Sequence, residues 1–261
     1  MMRILMVGDI VGNPGRGVFA CTVTRLRRDK SVDFVVANAE NAAGGKGITR
    51  PMAEELFSAG ADVLTLGDHA WDQREFVHDI KSLPAVIRPA NFVPGAPGRG
   101  WVTIEKNGVR VTVIALLGRV FMNPLDCPFR AVDAILTKEP NLGRVILVDM
   151  HAEATSEKIA LSRHLDGRVT AVCGTHTHVQ TADERIMPGG TAAITDLGMT
   201  GPKDSIIGRS VPAVLSTFLT GMPTRFEVAT EGVELDGVLL EVDEATGRCR
   251  SIKRIREKLV K

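Results

Sequence analysis

Five short apolar runs in this chain each stop on a polar residue or a glycine, and that pattern narrows the folds open to it. Arg3 to Gly8 stops at Asp9, and Asp33 to Ala37 stops at Asn38. Asp62 to Leu66 stops at Gly67, Arg144 to Met150 at His151, and Val169 to Gly174 just ahead of Thr175 and His176. Short apolar runs bounded in this way read as buried strands. Helical patterns lie between them: Val18 to Arg28 behind Pro14 and Gly15, Pro51 to Ala59 behind a capping Thr49, Trp71 to Leu83, Pro124 to Leu136 and Glu153 to His164. Alternating strand and helix patterns call for an α/β architecture.

The remaining segments are more antiparallel in character. Trp101 to Glu105 and Arg110 to Leu116 flank Asn107-Gly108, which predicts a hairpin. Arg185 to Met187 and Thr191 to Thr195 flank the turn at Pro188-Gly189-Gly190. Val211 to Leu219 reads as a helix; Arg225 to Ala229, Val233 to Val242 and Arg248 to Ile255 read as meandering strands. Pro94 to Gly100 is the expected surface loop. With no repeat, linker or low-complexity tract, the expectation is one domain over residues 1–261.

Composition excludes several classes. Apolar residues at 44% and charged residues at 24% are those of a soluble globular protein with a sizeable core. Thirty-two basic residues against 31 acidic ones give a net charge of +1, so no global basic field draws the chain onto nucleic acid. Cys21, Cys127, Cys173 and Cys249 are far apart and form neither a disulfide framework nor a thiolate zinc site, as in a cytoplasmic protein. The apolar start MMRILMVGDIVG is too short to span a bilayer and reads as a first strand; no membrane association is expected.

In open α/β sheets, ligands bind beyond the carboxyl ends of the strands. The residues gathered there are Asp9, Glu40, Asn41, Asp68, His69, His151, His176 and His178, which include four of the six histidines. Each has an ordinary reading by itself: a histidine after a strand is often a hydrogen-bonded loop residue, and Asp9 could cap a helix. Jointly they favour metal binding. Mixed imidazole and carboxylate ligands suit zinc, iron, manganese or nickel rather than calcium or magnesium. If His176-Thr177-His178 is extended, its two imidazoles face the same side. His78 and His164 fall on expected helices and read as surface or packing residues.

Seven motifs, in order along most of the chain, carry a resemblance: GDIVGNPGR from Gly8, ENAAGGKGIT from Glu40, LTLGDHAWD from Leu64, RPANF from Arg88, DMHAEATSEK from Asp149, GTHTHVQTAD from Gly174 and TDLGMTGPKDSIIG from Thr195. The chain resembles the YmdB-like family of bacterial metallophosphoesterases, within the calcineurin-like superfamily. The resemblance implies the α/β calcineurin-like metallophosphoesterase fold, two packed mixed β-sheets flanked by helices. It implies a dinuclear-metal phosphodiesterase acting on cyclic nucleotides, 2′,3′-cyclic ones favoured and 3′,5′-cyclic ones included. Asp9 and His178 would hold one metal, Glu40 would bridge, and Asp68, His151 and His176 would hold the second. Asn41 and His69 would face the substrate phosphate. A hydroxide between the metals would attack phosphorus, with His69 as general acid. Self-association as a homo-oligomer is a further implication of the family.

Position 68 departs from the superfamily pattern, which is Gly-Asn-His where this chain has Gly67-Asp68-His69. An asparagine can bind metal through oxygen and donate its amide to phosphate; an ionised aspartate only accepts. Two divalent ions give about +4, against about −4 from Asp9, Glu40, Asp68 and a hydroxide. A ferric–ferrous pair would restore about +1, so iron is favoured, with manganese or zinc as alternatives. Competing functions are a nuclease or RNA-processing phosphodiesterase on the same centre, and a weakly active protein that senses metal or ligand. Arg88, Asn91, Arg119 and the loop from Met199 to Asp204 are expected either to shape the pocket or to serve as turn and sheet-edge residues.

Overall fold

The computed structural model describes residues 1–29 and 31–259. Two mixed β-sheets pack face to face. The first contains β1 (Met2–Val7), β2 (Asp9–Ile10), β3 (Phe34–Asn38), β4 (Val63–Thr65), β5 (Val86–Ile87), β12 (Met199–Pro202), β13 (Val233–Val242) and β14 (Cys249–Lys258). Its order is β2-β12-β13-β1-β3-β4-β5, with β14 also paired to β13; β1, β3, β4 and β5 run parallel. The second has the order β10-β11-β9-β8-β7-β6. It comprises β6 (Trp101–Lys106), β7 (Val109–Leu117), β8 (Val145–His151), β9 (Ala171–Thr175), β10 (Arg185–Ile186) and β11 (Ala192–Ile194).

Alternation along each strand explains the layering, because successive side chains point to opposite faces. Ile4 and Met6 of β1, with Phe34 and Val36 of β3, turn inward against Val111, Val113, Val145 and Leu147 of the second sheet. Leu5, Val7, Val35 and Leu64 turn outward onto α1 (Gly12–Arg28) and α2 (Arg50–Ser58), through Val18, Phe19, Ala53 and Leu56. Ile114, Leu116, Ile146 and Val148 do the same against α4 (Pro128–Lys138) and α5 (Thr155–His164). A strand covered on both faces must be apolar throughout, which is why these runs show no polar alternation.

Several expected elements differ. The segment Trp71 to Leu83 is not one helix: it makes turns, then α3 (Phe76–Asp79) and a 3₁₀ turn at Ile80–Ser82. Its backbone closes by i→i−3 bonds from Ala70 to Gly67 and from Asp72 to His69, and the Asp72 carboxylate is engaged by the His69 ring. The first helix begins earlier than expected, at Gly12, because Pro14 is tolerated in a first turn whose N–H groups have no intrahelical acceptor. Thr49 sits at the start of α2 without a side-chain capping bond. The helix expected from Pro124 begins only at Pro128. Arg225 to Ala229 is not a strand; it keeps a single bridge, Val228 to Arg209, and has no buried face to hold it in a sheet. β12 was hidden by its turn-like Gly201-Pro202, and it pairs with Asp9–Ile10 on one side and Glu234–Val233 on the other. The final helix, α6, spans Val211–Thr220. No helix among the described residues is long and apolar enough to cross a membrane.

Candidate metal centre

The two sheets bring their carboxyl ends to one place. Asn38 at the end of β3 donates its amide to Asp149 of β8 at 3.1 Å, directly bridging the sheets. Asp9 follows β1, Glu40 and Asn41 follow β3, Asp68 and His69 follow β4, His151 ends β8, and His176 and His178 follow β9. Glu40, Asp68, His151 and His176 each offer a ligand atom, and these four atoms lie within 4.8 Å of one another. His151 Nε2 is 3.0 Å from both Glu40 Oε1 and Asp68 Oδ1, and 3.0 Å from His176 Nδ1.

Asp9 and His178 form the neighbouring group. His178 Nε2 is 3.8 Å from Asp9 Oδ1. The Asn41 amide reaches Asp9 Oδ1 at 3.4 Å, Glu40 Oε1 at 3.3 Å and His178 Nε2 at 3.3 Å. Which end of that amide faces inward is set by the hydrogen-bond network, and a cation there would draw in its oxygen. All eight expected residues therefore converge.

The electrostatics of the cluster favour a cation. Asp9 and Glu40 are fully buried, and among the described residues the ion pairs of Asp9, Glu40 and Asp68 are all with histidines. Burial pushes the Asp9 carboxyl above its usual range. For Glu40, burial also acts upward, but the charge and hydrogen bond of His151 outweigh it and hold the carboxyl below its usual range. Asp68 is likewise held well below the carboxylate range, against burial, by hydrogen bonds from His151 and His176. Burial opposes the imidazolium of His151, yet Glu40 and Asp68 raise it well above the ordinary histidine value. A proton on His151 thus does in part what a metal would do: it places positive charge among three carboxylates.

Local backbone geometry makes the convergence possible. A Cβ on Gly67 would stand 2.3 Å from His151 Cδ2 and 2.4 Å from Glu40 Oε2, so only glycine lets β4 approach this closely. The HxH segment is not extended. His176 has φ 99° and His178 has φ 65°, both in the left-handed region, so the two imidazoles reach the site by separate turns of backbone and not by strand alternation. Asp196 holds that segment: it accepts from the Thr177 backbone and hydroxyl and pairs with the buried Lys158 at 2.8 Å.

The cluster opens into a cavity of about 330 Å³ lined by Glu40, Asn41, His69, His176 and His178, together with Glu153, Ile207 and Arg209. The last three were not singled out from the sequence. Glu153 Oε2 lies 3.2 Å from His176 Nε2, and its only signal was its place in the DMHAEATSEK motif. Arg209 donates to the Gly44 and Gly45 carbonyls, contacts between segments that no local pattern reports. His69 Nδ1 is 3.0 Å from Asp72 Oδ2. Arg88 and Asn91 are structural: the first donates to the Pro89, Ala96 and Pro97 carbonyls, the second to those of Leu117 and Asp126. Arg119 is held through its backbone N–H by Glu157. His78 is exposed, and His164 bonds Asp133 at the surface.

A model of the YmdB-like protein family matches residues 5–255. The chain belongs to the YmdB-like family. It is 46% identical over 254 residues to a Bacillus subtilis protein named 2′,3′-cyclic-nucleotide 2′-phosphodiesterase, covering 97% of this chain and 96% of that protein. A solved structure of a hypothetical protein from Thermus thermophilus superposes with a TM-score of 0.93 at 42% identity, covering 98% of this chain and 99% of the other. A structure described as a novel phosphatase from Mycoplasma pneumoniae superposes at 0.92 with 34% identity, covering 98% and 93%. The fold is that of a metallophosphoesterase, and this YmdB-like chain is a hydrolase of the phosphoester class with a Glu-Asp-His-His group able to hold a metal ion.

Proposed function

We propose that the chain is a dinuclear-metal phosphodiesterase that hydrolyses cyclic nucleotides, 2′,3′-cyclic ones in preference. The observation that carries this reading is the close set of Glu40, Asp68, His151 and His176 beside the Asp9–His178 pair, at the floor of a cavity of small-ligand size. Three buried or half-buried carboxylates whose ion pairs, among the described residues, are all with imidazoles fit divalent or ferric cations. Glu40, whose Oε1 faces both His151 and the Asn41 amide that also reaches Asp9, would be shared between two ions, Asp9 and His178 would hold one, and Asp68, His151 and His176 the other. Iron remains the favoured metal on charge balance, with manganese or zinc as alternatives. Bound there, the metals would supply Lewis acidity and lower the pKa of the attacking water.

The chain's own residues handle the rest. His69 lines the cavity with Nδ1 turned to Asp72, so its Nε2 is the nitrogen left to serve the substrate. As an imidazolium it keeps one proton on the Asp72 hydrogen bond and gives the other to the leaving ribose oxygen as the P–O bond breaks. Asn41 orients the phosphate. Arg209 is the one guanidinium among the described lining residues, and it offers the local positive charge that a net charge of +1 does not supply globally.

The test is metal analysis followed by assays on 2′,3′- and 3′,5′-cyclic nucleotides, an aryl phosphodiester and short RNA. The expected result is bound metal with fastest turnover of 2′,3′-cyclic nucleotides. His69→Ala should lose about 10²–10⁴-fold in rate and keep its metal, whereas His151→Ala should lose metal. Metal uptake without turnover of any substrate would overturn the enzyme reading in favour of a sensing role. RNA cleaved faster than the cyclic nucleotides would overturn the substrate preference.

A further inference from the structure

Asp149 is a buried carboxylate to which the proposed chemistry gives no part. It lies on β8 two residues before His151, on the same face of the strand. Among the described residues its hydrogen-bond donors are three neutral groups. The Asn38 amide reaches Oδ2 at 3.1 Å, the Thr65 hydroxyl bonds the same oxygen, and the Thr175 hydroxyl reaches Oδ1 at 2.7 Å. Thr175 is the β9 residue paired with His151, and its Oγ1 is also 2.9 Å from His151 Nδ1.

A hydroxyl has one hydrogen to give. The Thr175 hydroxyl gives that hydrogen to Asp149 Oδ1, the nearer of the two partners at 2.7 Å, so toward His151 the same oxygen accepts. Nδ1 therefore carries a proton. Asn38 cannot take that proton: its amide nitrogen is the atom 3.4 Å from Nδ1, and its Oδ1 is already used by the Glu40 backbone N–H at 3.2 Å. With Nδ1 protonated, a neutral His151 has its lone pair on Nε2, the atom 3.0 Å from Glu40 and Asp68. That is the tautomer a metal ligand needs.

We propose that Asp149 and Thr175 are positioning residues, a hydrogen-bond relay that fixes the His151 tautomer and thereby sets the metal affinity of the centre. The inference rests on the metal-site reading above. Replacing the Thr175 hydroxyl by a methyl would strand the Nδ1 proton in a buried place or drive it to Nε2, where it blocks the ligand lone pair. Outer partners of ligating histidines typically govern affinity by about 10–100-fold.

The experiment titrates Mn²⁺ calorimetrically into the metal-free wild type, Thr175→Val, Thr175→Ser and Asp149→Asn. Melting curves of the metal-free proteins report folding. Imidazole ¹⁵N spectra of the Zn²⁺-loaded proteins report the tautomer. Thr175→Val should bind Mn²⁺ about 10–100-fold more weakly, Asp149→Asn should also weaken it, and Thr175→Ser should restore affinity and the Nδ1–H signal. If valine is not accepted in the fold, Thr175→Ala removes the same hydroxyl without adding a methyl and carries the test. Wild-type affinity in a folded Thr175→Val or Thr175→Ala protein overturns the relay alone. A wild-type chain that takes up no Mn²⁺ overturns the metal reading and the relay with it.

Discussion

Gly67→Ala is the smallest change that should disable the centre without touching a ligand. The φ of Gly67 lies outside the left-handed region, so alanine meets no backbone strain and the cost is one of space. The added carbon would stand 2.3 Å from His151 Cδ2, 2.5 Å from His151 Cγ and 2.4 Å from Glu40 Oε2. Carbon contacts settle near ~3.5 Å, so the ring and carboxylate must retreat by about 1 Å. Both are fully buried, His151 is tied to Thr175 on its far side, and Glu40 Oε2 receives the His69 N–H at 3.1 Å, so the strain falls on the site. Overpacking of this kind costs about 1–3 kcal/mol, which for a chain of this size is a loss of roughly 3–10 °C in Tm. A misplacement of about 1 Å in a catalytic constellation costs about 10²-fold in rate. The assay pairs kcat on a 2′,3′-cyclic nucleotide with Mn²⁺ calorimetry and a melting curve. Wild-type kcat and Mn²⁺ affinity in the variant would refute the reasoning. So would a lowered Tm with the centre intact, since that would show the loop yielding elsewhere.

Three further outcomes are expected. Asp68→Asn keeps an oxygen toward His151 and His176 but exchanges a negative charge for an amide donor; KM for a diester should fall about tenfold, or about 1.4 kcal/mol, with metal content unchanged, and altered metal content with unchanged kinetics would refute it. Arg209→Ala should raise KM severalfold without loss of metal, as Michaelis kinetics beside metal analysis would show, because the guanidinium both lines the cavity and pins the Gly44 and Gly45 carbonyls. In the metal-free protein the raised His151 value links stability to pH. Its contribution is complete below the unfolded value of about 6.5 and is lost as pH rises through the folded one, so Tm of the metal-free wild type should fall above about pH 6.5, a fall that His151→Gln should reduce.

What the sequence disclosed depends on how local each signal was. The strands β1, β3, β4, β8 and β9 were legible because burial on both faces leaves an unbroken apolar run, and their ends located Asp9, Asn38, Gly67, His151 and His176. β12 was not, because its residues pair with partners far away in the chain, and a Gly-Pro pair carries no strand signal of its own. The helix expected from Trp71 to Leu83 failed for a related reason. Its apolar spacing was real, and Phe76, Ile80 and Leu83 are buried, but Asp72 is bound to the His69 ring, and the backbone there turns in i→i−3 steps.

The same distinction applies within the site. Residue type and position after a strand were enough to gather all eight candidates, yet His176 and His178 do not reach the site by strand alternation. Strand alternation would place both side chains on one face. Instead each residue takes a positive φ, a conformation that disfavours histidine and must be held from outside. Asp196 provides that hold through Thr177 while paired to Lys158, and Ile207 accepts from His178 Nδ1 at 3.1 Å. None of these partners is within ten residues of the motif. A three-residue motif therefore revealed which atoms meet, whereas the geometry by which they meet is fixed by residues that a motif does not contain. The same holds for Asp149 and Thr175 behind His151, so substitutions in this outer layer should separate metal affinity from fold stability more cleanly than substitutions of the ligands themselves.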